Sequence, residues 1–358
     1  MSRREYRRRP MGSRHNNSGK ILFAAAAAKW LRLRLQRQPD WFLLCDTHTR
    51  QHCLPLFEAT FGAVPVRHLL VMPAGEAHKQ LSTAEALWRQ LQQANAKRDS
   101  LLLNLGGGVV CDMGGFVAAT WKRGIPFIHL PTSLMAQSDA AIGGKCALNF
   151  GGIKNQIGLF RQPEAVCIAP AFLQTLPPEE LHAGFAEMLK HGIIADADHF
   201  RTLRQTDSRT PPSTALIRRS IAIKNSFVRQ DAEDRNLRKA LNFGHSIGHL
   251  LEALSEGALS HGVAVAHGMR AEAQIARNKG LLPAGDWEEI AQCIQQHYGA
   301  SPAVRCSRET MERLLAADKK CDAGSLNFSL PTAIGQVVTN CSVNFGEVWE
   351  VLQPDSRP

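Results

Sequence analysis

The first half of the chain alternates short apolar runs with stretches of helical periodicity. From about residue 41 the apolar runs read WFLLCD, VRHLLVMP, SLLLNLGGG, FIHLPTS and AVCIAP. Each run is long enough for one strand, and strands that alternate with helices form a parallel sheet covered by helices. We therefore predict an α/β, Rossmann-like nucleotide-binding domain with a parallel sheet over residues 20–171.

Beyond about residue 171 the strand signals thin out and long helical patterns take over. The segment STALIRRSIAIKNSFVRQDAEDRNLRKALNFGHSIGHLLEAL has helical spacing of its apolar residues, with the polar run DAEDRN inside it. That polar run predicts a break between two helices. We predict a mostly α-helical, metal- and substrate-binding C-terminal domain over residues 172–358, with the active site in the cleft between the two domains.

Composition indicates an ordinary soluble globular protein. The 358 residues, 44% hydrophobic and 21% charged, suffice for two domains with full cores. The run ILFAAAAA is shorter than the roughly 18 residues of a membrane span and is followed by Lys29. Without an export signal, a cytoplasmic location is expected. Nine cysteines with no CxxC pair predict reduced thiols.

Half of the net charge lies in the first 14 residues. The formal net charge is +10 at pH 7, and MSRREYRRRPMGSR holds six Arg and one Glu. Residues 1–19 are predicted to be a disordered basic tail. A short arginine run without aromatic residues attracts phosphates nonspecifically, so specific nucleic-acid binding is not expected. The milder charge of the remaining chain suits an acidic small-molecule substrate equally well.

A glycine-rich turn follows one of the predicted strands. In SLLLNLGGGVVCDMGGF, Gly107 and Gly108 lie between a buried strand and a helix. Glycine lets the backbone approach a pyrophosphate, and a helix N-terminus attracts it. The run is not GxGxxG, so a plain strand-to-helix turn stays an alternative. Asp46, at the end of WFLLCD, could hold ribose hydroxyls, and AGEAHK offers Glu76 and Lys79 to the same nucleotide.

A second glycine-rich stretch carries charged and amide side chains. The sequence HLPTSLMAQSDAAIGGKCALNFGGIKNQIG includes Asp139, Lys145, Lys154 and Asn155. Lysines in glycine-rich surroundings of low charge suit anion binding, although surface-loop lysines are the alternative. Arg123, in TWKRG, could join them or could only complement the dipole of the preceding helix.

Histidines at helical spacing suggest a metal site. The segment LNFGHSIGHLLEALSEGALSHGVAVAHGM places His245 and His249 one helical turn apart, with His261 after a loop. GFAEMLKHG sets Glu187 and Lys190 three residues apart on one helix face. Imidazoles and a carboxylate from separate segments are the ligands of catalytic divalent-metal sites with open positions. A histidine that simply hydrogen-bonds within a core is the competing interpretation.

Three polar residues precede these histidines on the long helical segment. Lys224, Arg238 and Asn242 are spaced near whole helical turns, so a continuous helix would present them on the histidine face. The predicted break opposes that arrangement. Late in the chain, Lys319 and Lys320 form a charged pair that, by itself, is typical of a solvent-exposed surface.

Taken together, these motifs resemble those of the 3-dehydroquinate synthases, within the sugar phosphate cyclase superfamily. The resemblance runs from about residue 40 to about residue 335 and is densest in GGGVVCDMGGF, GGKCALNFGGIKNQIG, TLPPEELHAGFAEMLKHG, LNFGHSIGH and HGVAVAHGM. It implies that Zn²⁺ or Co²⁺ is bound by Glu187, His245 and His261. The expected NAD contacts are Asp46, Glu76, Lys79, Gly107, Gly108, Asp112, Thr132, Ser133, Lys145, Lys154 and Thr175. The expected catalytic and substrate contacts are Arg123, Asp139, Lys145, Asn155, Lys190, Lys224, Arg238, Asn242, His249 and one of Lys319 or Lys320.

The resemblance also implies an activity. Members of the family convert 3-deoxy-arabino-heptulosonate 7-phosphate to 3-dehydroquinate and phosphate, a phosphorus-oxygen lyase reaction of the shikimate pathway to aromatic amino acids. The steps are NAD-mediated oxidation, phosphate elimination, reduction and aldol cyclisation. Lysines and arginines would hold the phosphate, and His249 is the candidate for relaying the alcohol proton. The expected partner is this phosphorylated sugar acid, with no membrane, and the expected assembly is a homodimer.

Three positions depart from the usual family pattern. Val263 stands where the family usually has Glu, Asp234 where Glu is common, and Ser133 where Thr is usual. None of these removes a ligand or a substrate cation, so we expect an active enzyme with altered metal affinity. The alternatives are another sugar phosphate cyclase and a metal-dependent polyol dehydrogenase, which would have little use for so many cations. A noncatalytic binding protein is disfavoured by the intact ligand set.

Overall fold

A six-stranded parallel sheet forms the N-terminal half of the protein. The computed structural model describes residues 19–38, 40–304, 306–318 and 325–353. The strands are, in chain order, β1 (Lys20–Phe23), β2 (Trp41–Asp46), β3 (Leu69–Met72), β4 (Leu101–Gly106), β5 (Phe127–Pro131), β6 (Lys145–Phe150), β7 (Ile153–Phe160), β8 (Ala165–Ile168), β9 (Ser325–Ala333) and β10 (Gln336–Asn344). The sheet order is β1, β8, β5, β4, β2, β3, and each neighbouring pair is parallel.

Helices cover the sheet and then make up most of the C-terminal half. They are α1 (Ala24–Gln36), α2 (Thr47–His52), α3 (Leu54–Phe61), α4 (Leu81–Gln93), α5 (Gly108–Thr120), α6 (Pro178–Ala195), α7 (Ala197–Arg204), α8 (Thr214–Gln230), α9 (His245–Leu254), α10 (His261–Asn278), α11 (Ala284–Tyr298), α12 (Arg308–Asp318) and α13 (Phe345–Leu352). Separate apolar cores lie on the two faces of the sheet, and a larger core fills the helical half. The predicted architecture, an α/β half followed by a mostly helical half, is confirmed.

The five predicted apolar runs are all strands of this sheet. Strand β4 is buried at every position, and β2 at every position after its first. Parallel strands covered on both faces need apolar side chains on both sides, so they read as continuous apolar runs. The sixth strand, β1, is hidden in ILFAAAAA, where the chain changes from strand to helix at Ala24.

Two antiparallel hairpins were not predicted by the apolar pattern. Strand β6 pairs with β7, and β9 pairs with β10. The β6–β7 hairpin turns through Gly151 and Gly152, whose φ angles of 61° and 79° suit glycine. Its strands lie in a stretch rich in glycine and polar residues, which are depleted in strands generally, and this composition concealed them.

The predicted helix break at DAEDRN is confirmed. Helix α8 ends before this run, and the 3-10 helix Leu237–Asn242 lies between it and α9. The Asp231 carboxylate accepts hydrogen bonds from the backbone amides of residues 235, 236 and 238, so the run folds back on its first residue. Lys224, Arg238 and His249 therefore lie on three different elements, and no single helix face presents them.

The remaining predictions concern the basic tail, the domain boundary, membrane spans and the cysteines. Residues 1–18 of the predicted basic tail, together with Lys319 and Lys320, lie outside the described residues. The predicted boundary after residue 171 falls within the 3-10 helix Pro170–Thr175 and stays a prediction. Across the described ranges, no helix combines the length and apolar character needed to cross a membrane. The eight cysteines in those ranges are all free.

Candidate active site

Three helices of the C-terminal half meet through close-packed glycines. A Cβ atom on Gly262, at the start of α10, would lie 1.9 Å from the carbonyl oxygen of Ala183 on α6. A Cβ on Gly268 would lie 2.0 Å from the carbonyl oxygen of Gly244, directly before α9. Backbones this close leave no room for a side chain. The contacts bring the first residues of α9 and α10 beside the middle of α6.

The three predicted metal ligands lie at this meeting point. One potential ligand atom from each of Glu187, His245 and His261 lies within 4.8 Å of the others. The Nε2 atoms of His245 and His261 are 3.5 and 3.9 Å from Oε1 of Glu187. A tetrahedral zinc with bonds of about 2.0–2.2 Å holds its ligand atoms roughly 3.3–3.6 Å apart. Small side-chain rotations would therefore bring these atoms to metal-binding distances.

The hydrogen bonds made by Nδ1 of His245 and of His261 leave the Nε2 atom of each ring to bind a metal. Nδ1 of His245 lies 3.3 Å from the carbonyl oxygen of Phe243, and Nδ1 of His261 lies 3.2 Å from the Glu252 carboxylate. When Nδ1 donates, Nε2 keeps its lone pair, and both Nε2 atoms face the ligand carboxylate. Burial, reinforced by Lys190, lowers the pKa of His245 well below its usual value. A neutral ring is the form that binds metal, so the donor set fits a divalent cation.

Lys190 is buried directly beside these ligands. It forms an ion pair with Glu187 one helical turn away, and both residues are only 1% exposed. A buried ammonium without a counter-charge costs several kcal/mol, so the two groups depend on each other. A ligand bound at the three-residue site would also meet this ammonium group.

Asp139 gathers a second group of buried charges. It lies on the π-helix Ala136–Ala140, and the Lys224 ammonium is 2.8 Å from its carboxylate and 2.6 Å from its carbonyl oxygen. His191, which the sequence analysis did not single out, lies 3.3 Å from the same carboxylate. Burial raises the pKa of Asp139, but Lys224 and Lys190 outweigh it and hold that pKa well below its usual value. Burial lowers the pKa of Lys224 to about 8.

The side chain of Arg238 extends from the 3-10 helix Leu237–Asn242 to the turn before β6, and Lys145 is the first residue of that strand. The buried Arg238 guanidinium donates to the carbonyl oxygens of Gly143 and Ala232 at 3.1 and 2.9 Å. Gly143 has a φ angle of 103°, and an added Cβ would also lie 2.3 Å from that guanidinium, so glycine is needed there. Lys145 is 47% exposed and forms an ion pair with Asp234. Arg238 therefore has a fixed direction, whereas Lys145 is reachable from solvent.

The predicted nucleotide residues begin at the carboxyl edge of the sheet. Asp46 ends β2 and caps α2, accepting from the backbone amide of Thr49 at 2.7 Å. A Cβ on Gly107 would lie 3.4 Å from the Ser133 hydroxyl, and a Cβ on Gly108 would lie 3.4 Å from a neighbouring side-chain atom. Both distances lie at the edge of ordinary van der Waals contact, so packing does not by itself require glycine at either position.

Lys79 connects this turn to the β6–β7 hairpin. Its ammonium is 2.5 Å from the carboxylate of Asp112 on α5 and 2.5 Å from the side-chain oxygen of Asn155 on β7. Asn149, on β6, donates to Glu76 at 2.8 Å. Burial raises the pKa of Asp112, and Lys79 opposes that rise. Lys79, Asp112 and Asn155 are thus held together by direct polar interactions. Glu76 joins them through Asn149, whose side-chain oxygen accepts from the backbone amide of Asn155 at 2.9 Å.

The remaining predicted residues divide between the site and the surface. Thr132 is buried directly after β5, and Thr175 ends the 3-10 helix Pro170–Thr175, where its hydroxyl donates to the carbonyl oxygen of Phe172 at 3.3 Å. Asn242 is half-buried at the end of the 3-10 helix that precedes α9. Arg123 is exposed on the turn after α5, outside the buried charge clusters, and its predicted role stays a prediction.

His249 lies beside the two ligand histidines. Its ring centroid is 5.5 Å from that of His245 and 5.7 Å from that of His261. The helical spacing that predicted proximity of His245 and His249 is thus reflected in the structure. A third imidazole therefore lies next to the ligand set.

Two carboxylates at this site were missed by sequence reasoning. Glu252 follows His245 by seven residues, which is two helical turns and the same face. Glu272 is buried on α10 and accepts from the backbone amides of residues 244 and 247 at 2.7 and 3.1 Å, so it holds the start of α9. The helical spacing was the available signal for Glu252, whereas the contact of Glu272 depends on helix packing.

Comparisons with known proteins identify the family of this chain. The family models for the N-terminal and C-terminal parts of 3-dehydroquinate synthase match residues 69–183 and 184–321. The 3-dehydroquinate synthase of Parabacteroides distasonis is 39% identical over 319 residues, covering 87% of this chain and 90% of that protein. The 3-dehydroquinate synthase of Synechocystis sp. is 44% identical over 288 residues, covering 77% and 79%.

Solved structures share the fold. A 2-deoxy-scyllo-inosose synthase complexed with carbaglucose-6-phosphate, NAD⁺ and Co²⁺ has a TM-score of 0.83 at 24% identity, covering 93% of this chain and 96% of that chain. A 2-epi-5-epi-valiolone synthase from Streptomyces hygroscopicus with NAD⁺ and Zn²⁺ has a TM-score of 0.79 at 24% identity, covering 94% and 96%. Because the family models cover both halves and close relatives span most of its length, the chain belongs to the 3-dehydroquinate synthase family.

Proposed function

We propose that this chain converts 3-deoxy-arabino-heptulosonate 7-phosphate to 3-dehydroquinate and phosphate in the shikimate pathway. The observation that carries the proposal is the set of buried cations beside a metal-type ligand triad. Lys190 contacts the triad carboxylate, and Lys224 and Arg238 are buried nearby on neighbouring elements. A substrate with both a phosphate and a carboxylate needs several fixed cations to replace its hydration.

Two bound groups complete the proposed site. A Zn²⁺ or Co²⁺ would be held by Glu187, His245 and His261, which supply the nitrogen and oxygen donors such ions use. NAD would lie along the carboxyl edge of the sheet, held by Asp46, Glu76, Lys79, Gly107, Gly108, Asp112, Thr132, Ser133, Lys145, Lys154 and Thr175. When bound, these groups supply reversible hydride transfer and polarisation of substrate oxygens.

The chain's own residues would position the substrate and move one proton. Arg238 points its guanidinium in a direction fixed by two carbonyl oxygens, whereas Lys145 can exchange Asp234 for a substrate anion. His249 would relay the proton of the alcohol that is oxidised, because imidazole is suited to proton transfer near neutral pH. The proposed substrate contacts are Arg123, Asp139, Lys145, Asn155, Lys190, Lys224, Arg238, Asn242 and His249, with one of Lys319 or Lys320. We also propose that the working form is a cytoplasmic homodimer.

The proposed reaction should consume no NAD. We expect the purified protein with Zn²⁺, the heptulosonate phosphate and substoichiometric NAD to release phosphate and dehydroquinate in equal amounts, over many turnovers per NAD. The reason is that the oxidation and the reduction occur on the same bound substrate. Phosphate assay, product chromatography and absorbance of NADH would be followed together. Accumulation of one NADH per product would instead indicate a polyol dehydrogenase, and cyclisation only of other sugar phosphates would indicate a related cyclase.

Substrate binding and proton relay should separate in steady-state kinetics. Lys145→Ala should mainly raise KM, with a loss of about 1.5–3 kcal/mol for one charge-assisted contact, because Lys145 would hold an anion before and during the reaction. His249→Ala should mainly lower kcat, by about 10²–10⁴-fold. Both variants should be measured over a range of substrate concentrations after their NAD and metal contents are checked.

Lys190 is unsuitable for this comparison, because removing it would leave the buried carboxylate of Glu187 without its ion-pair partner. Lys279→Ala offers the control, because this exposed lysine lies directly after α10 and pairs with Glu347 on α13. If His249→Ala raises KM while kcat stays within threefold of the parent, His249 binds substrate and relays no proton.

A further inference from the structure

Glu252, on α9, connects a metal-type ligand to the β6–β7 hairpin. Its Oε2 lies 3.2 Å from Nδ1 of His261, and its Oε1 lies 2.5 Å from the ammonium of Lys154 on β7. The carboxylate is mostly shielded from solvent, with its side chain 16% exposed. One carboxylate thus joins the ligand set of the helical half to a hairpin of the sheet half.

His261 needs such a partner more than His245 does. His245 is held by the carbonyl oxygen of Phe243, a backbone atom of its own segment. His261 is the first residue of α10 and its side chain is 34% exposed, so its ring has more freedom to turn. Val263, two residues further along, has an apolar side chain and offers His261 no hydrogen-bond acceptor. The carboxylate that contacts His261 belongs to Glu252 on α9.

We propose that Glu252 is a positioning residue that orients His261 for metal binding, with Lys154 as its counter-charge. The inference rests on the proposed metal site. A carboxylate that accepts the Nδ1 hydrogen of a ligand histidine fixes its tautomer and strengthens Nε2 as a donor, and loss of such a partner typically weakens metal binding about 10–100-fold. Lys154 weakens metal binding, because its positive charge attracts the same Glu252 carboxylate and repels a nearby divalent cation.

The two residues should therefore change metal affinity in opposite directions. Zn²⁺ affinity would be measured by competition with a chromogenic chelator, on metal-free protein without NAD or substrate. Glu252→Gln keeps the size and one acceptor but removes the charge, and we expect about 10–100-fold weaker Zn²⁺ binding. Lys154→Met removes the competing cation, and its Zn²⁺ affinity should exceed that of the parent. A merely structural disturbance would weaken both variants.

The matched control is Glu256→Gln, four residues further along and exposed. It removes the same charge without a contact to His261, so Zn²⁺ affinity should stay within about twofold of the parent. The absorption spectrum of the Co²⁺-loaded protein gives a second readout, since it responds to ligand geometry, and it should change in Glu252→Gln only. Thermal unfolding of the metal-free variants checks the fold, and Lys154→Met remains informative if Glu252→Gln unfolds easily.

The outcomes separate this inference from the metal site itself. Zn²⁺ affinity of Glu252→Gln within threefold of the parent, with an unchanged Co²⁺ spectrum, would overturn the role of Glu252. Equal weakening by Lys154→Met would overturn its role as counter-charge. A parent protein that fails to bind one Zn²⁺ per chain would overturn the proposed metal site, and the inference with it.

Discussion

Replacing His261 with alanine should remove the metal and lower kcat/KM by at least about a thousandfold. Only Glu187 and His245 would remain as ligands, and two ligands do not retain a catalytic zinc. Loss of Lewis-acid stabilisation costs several kcal/mol in the transition state, and each 1.36 kcal/mol is about tenfold in rate. Metal content per chain and kcat/KM would be measured on the same preparation.

The position of His261 makes this a clean test. Its side chain is 34% exposed at the start of α10, so alanine leaves no large cavity. His52→Ala, at an exposed position on α2, is the control and should keep full metal content and activity. A His261→Ala protein that still holds one metal per chain would show that the metal lies elsewhere.

Alanine at Gly268 should lower the free energy of unfolding by about 3 kcal/mol or more. An added Cβ would lie 2.0 Å from the carbonyl oxygen of Gly244 and 2.6 Å from the amide nitrogen of Gly248, and both are backbone atoms. Overpacking against side chains typically costs about 1–3 kcal/mol, and backbone can yield less. Because α9 would have to move, His245 at its first residue would move too, and Zn²⁺ affinity should also fall.

Helix propensity by itself predicts that Gly268→Ala would raise the free energy of unfolding. Gly→Ala within a helix is favourable by about 1 kcal/mol where space allows. Gly285→Ala, in the first turn of α11, is the matched control, since nothing lies within 4 Å of its added Cβ. It should leave stability unchanged or raise it by up to about 1 kcal/mol. Denaturant unfolding curves in which both glycine variants shift in the same direction would contradict the packing argument.

The sheet and the helix break could be predicted because their signals are local. Each central strand is a run of apolar residues, since burial on both faces leaves no polar side, and this pattern survives without knowledge of the neighbours. The DAEDRN break is equally local, because Asp231 satisfies three nearby backbone amides itself. The β6–β7 hairpin was missed because its residues serve a polar site, where glycine and amide side chains replace the usual strand formers.

The identity of the site residues was also accessible from the sequence, but largely through motif resemblance. Helical spacing by itself related His245 to His249 and Glu187 to Lys190. It gave no reason to join these pairs, because nothing local relates α6 to α9. The pairing of the charged side chains differs more from the expectation. The lysines that were expected to bind substrate anions already form ion pairs with carboxylates, as Lys145 does with Asp234. Buried or half-buried cations need counter-charges even before a substrate arrives.

By itself the sequence determined the layered α/β architecture, the position of the helix break and the residue types suited to metal and phosphate. Those features follow from side-chain chemistry and from periodicities of two to four residues. Only the tertiary structure decided that Glu187, His245 and His261 converge and that Glu252 reaches one of them. Their convergence depends on how closely α6, α9 and α10 approach, and that distance is set by glycines whose missing side chains matter only once the helices are packed.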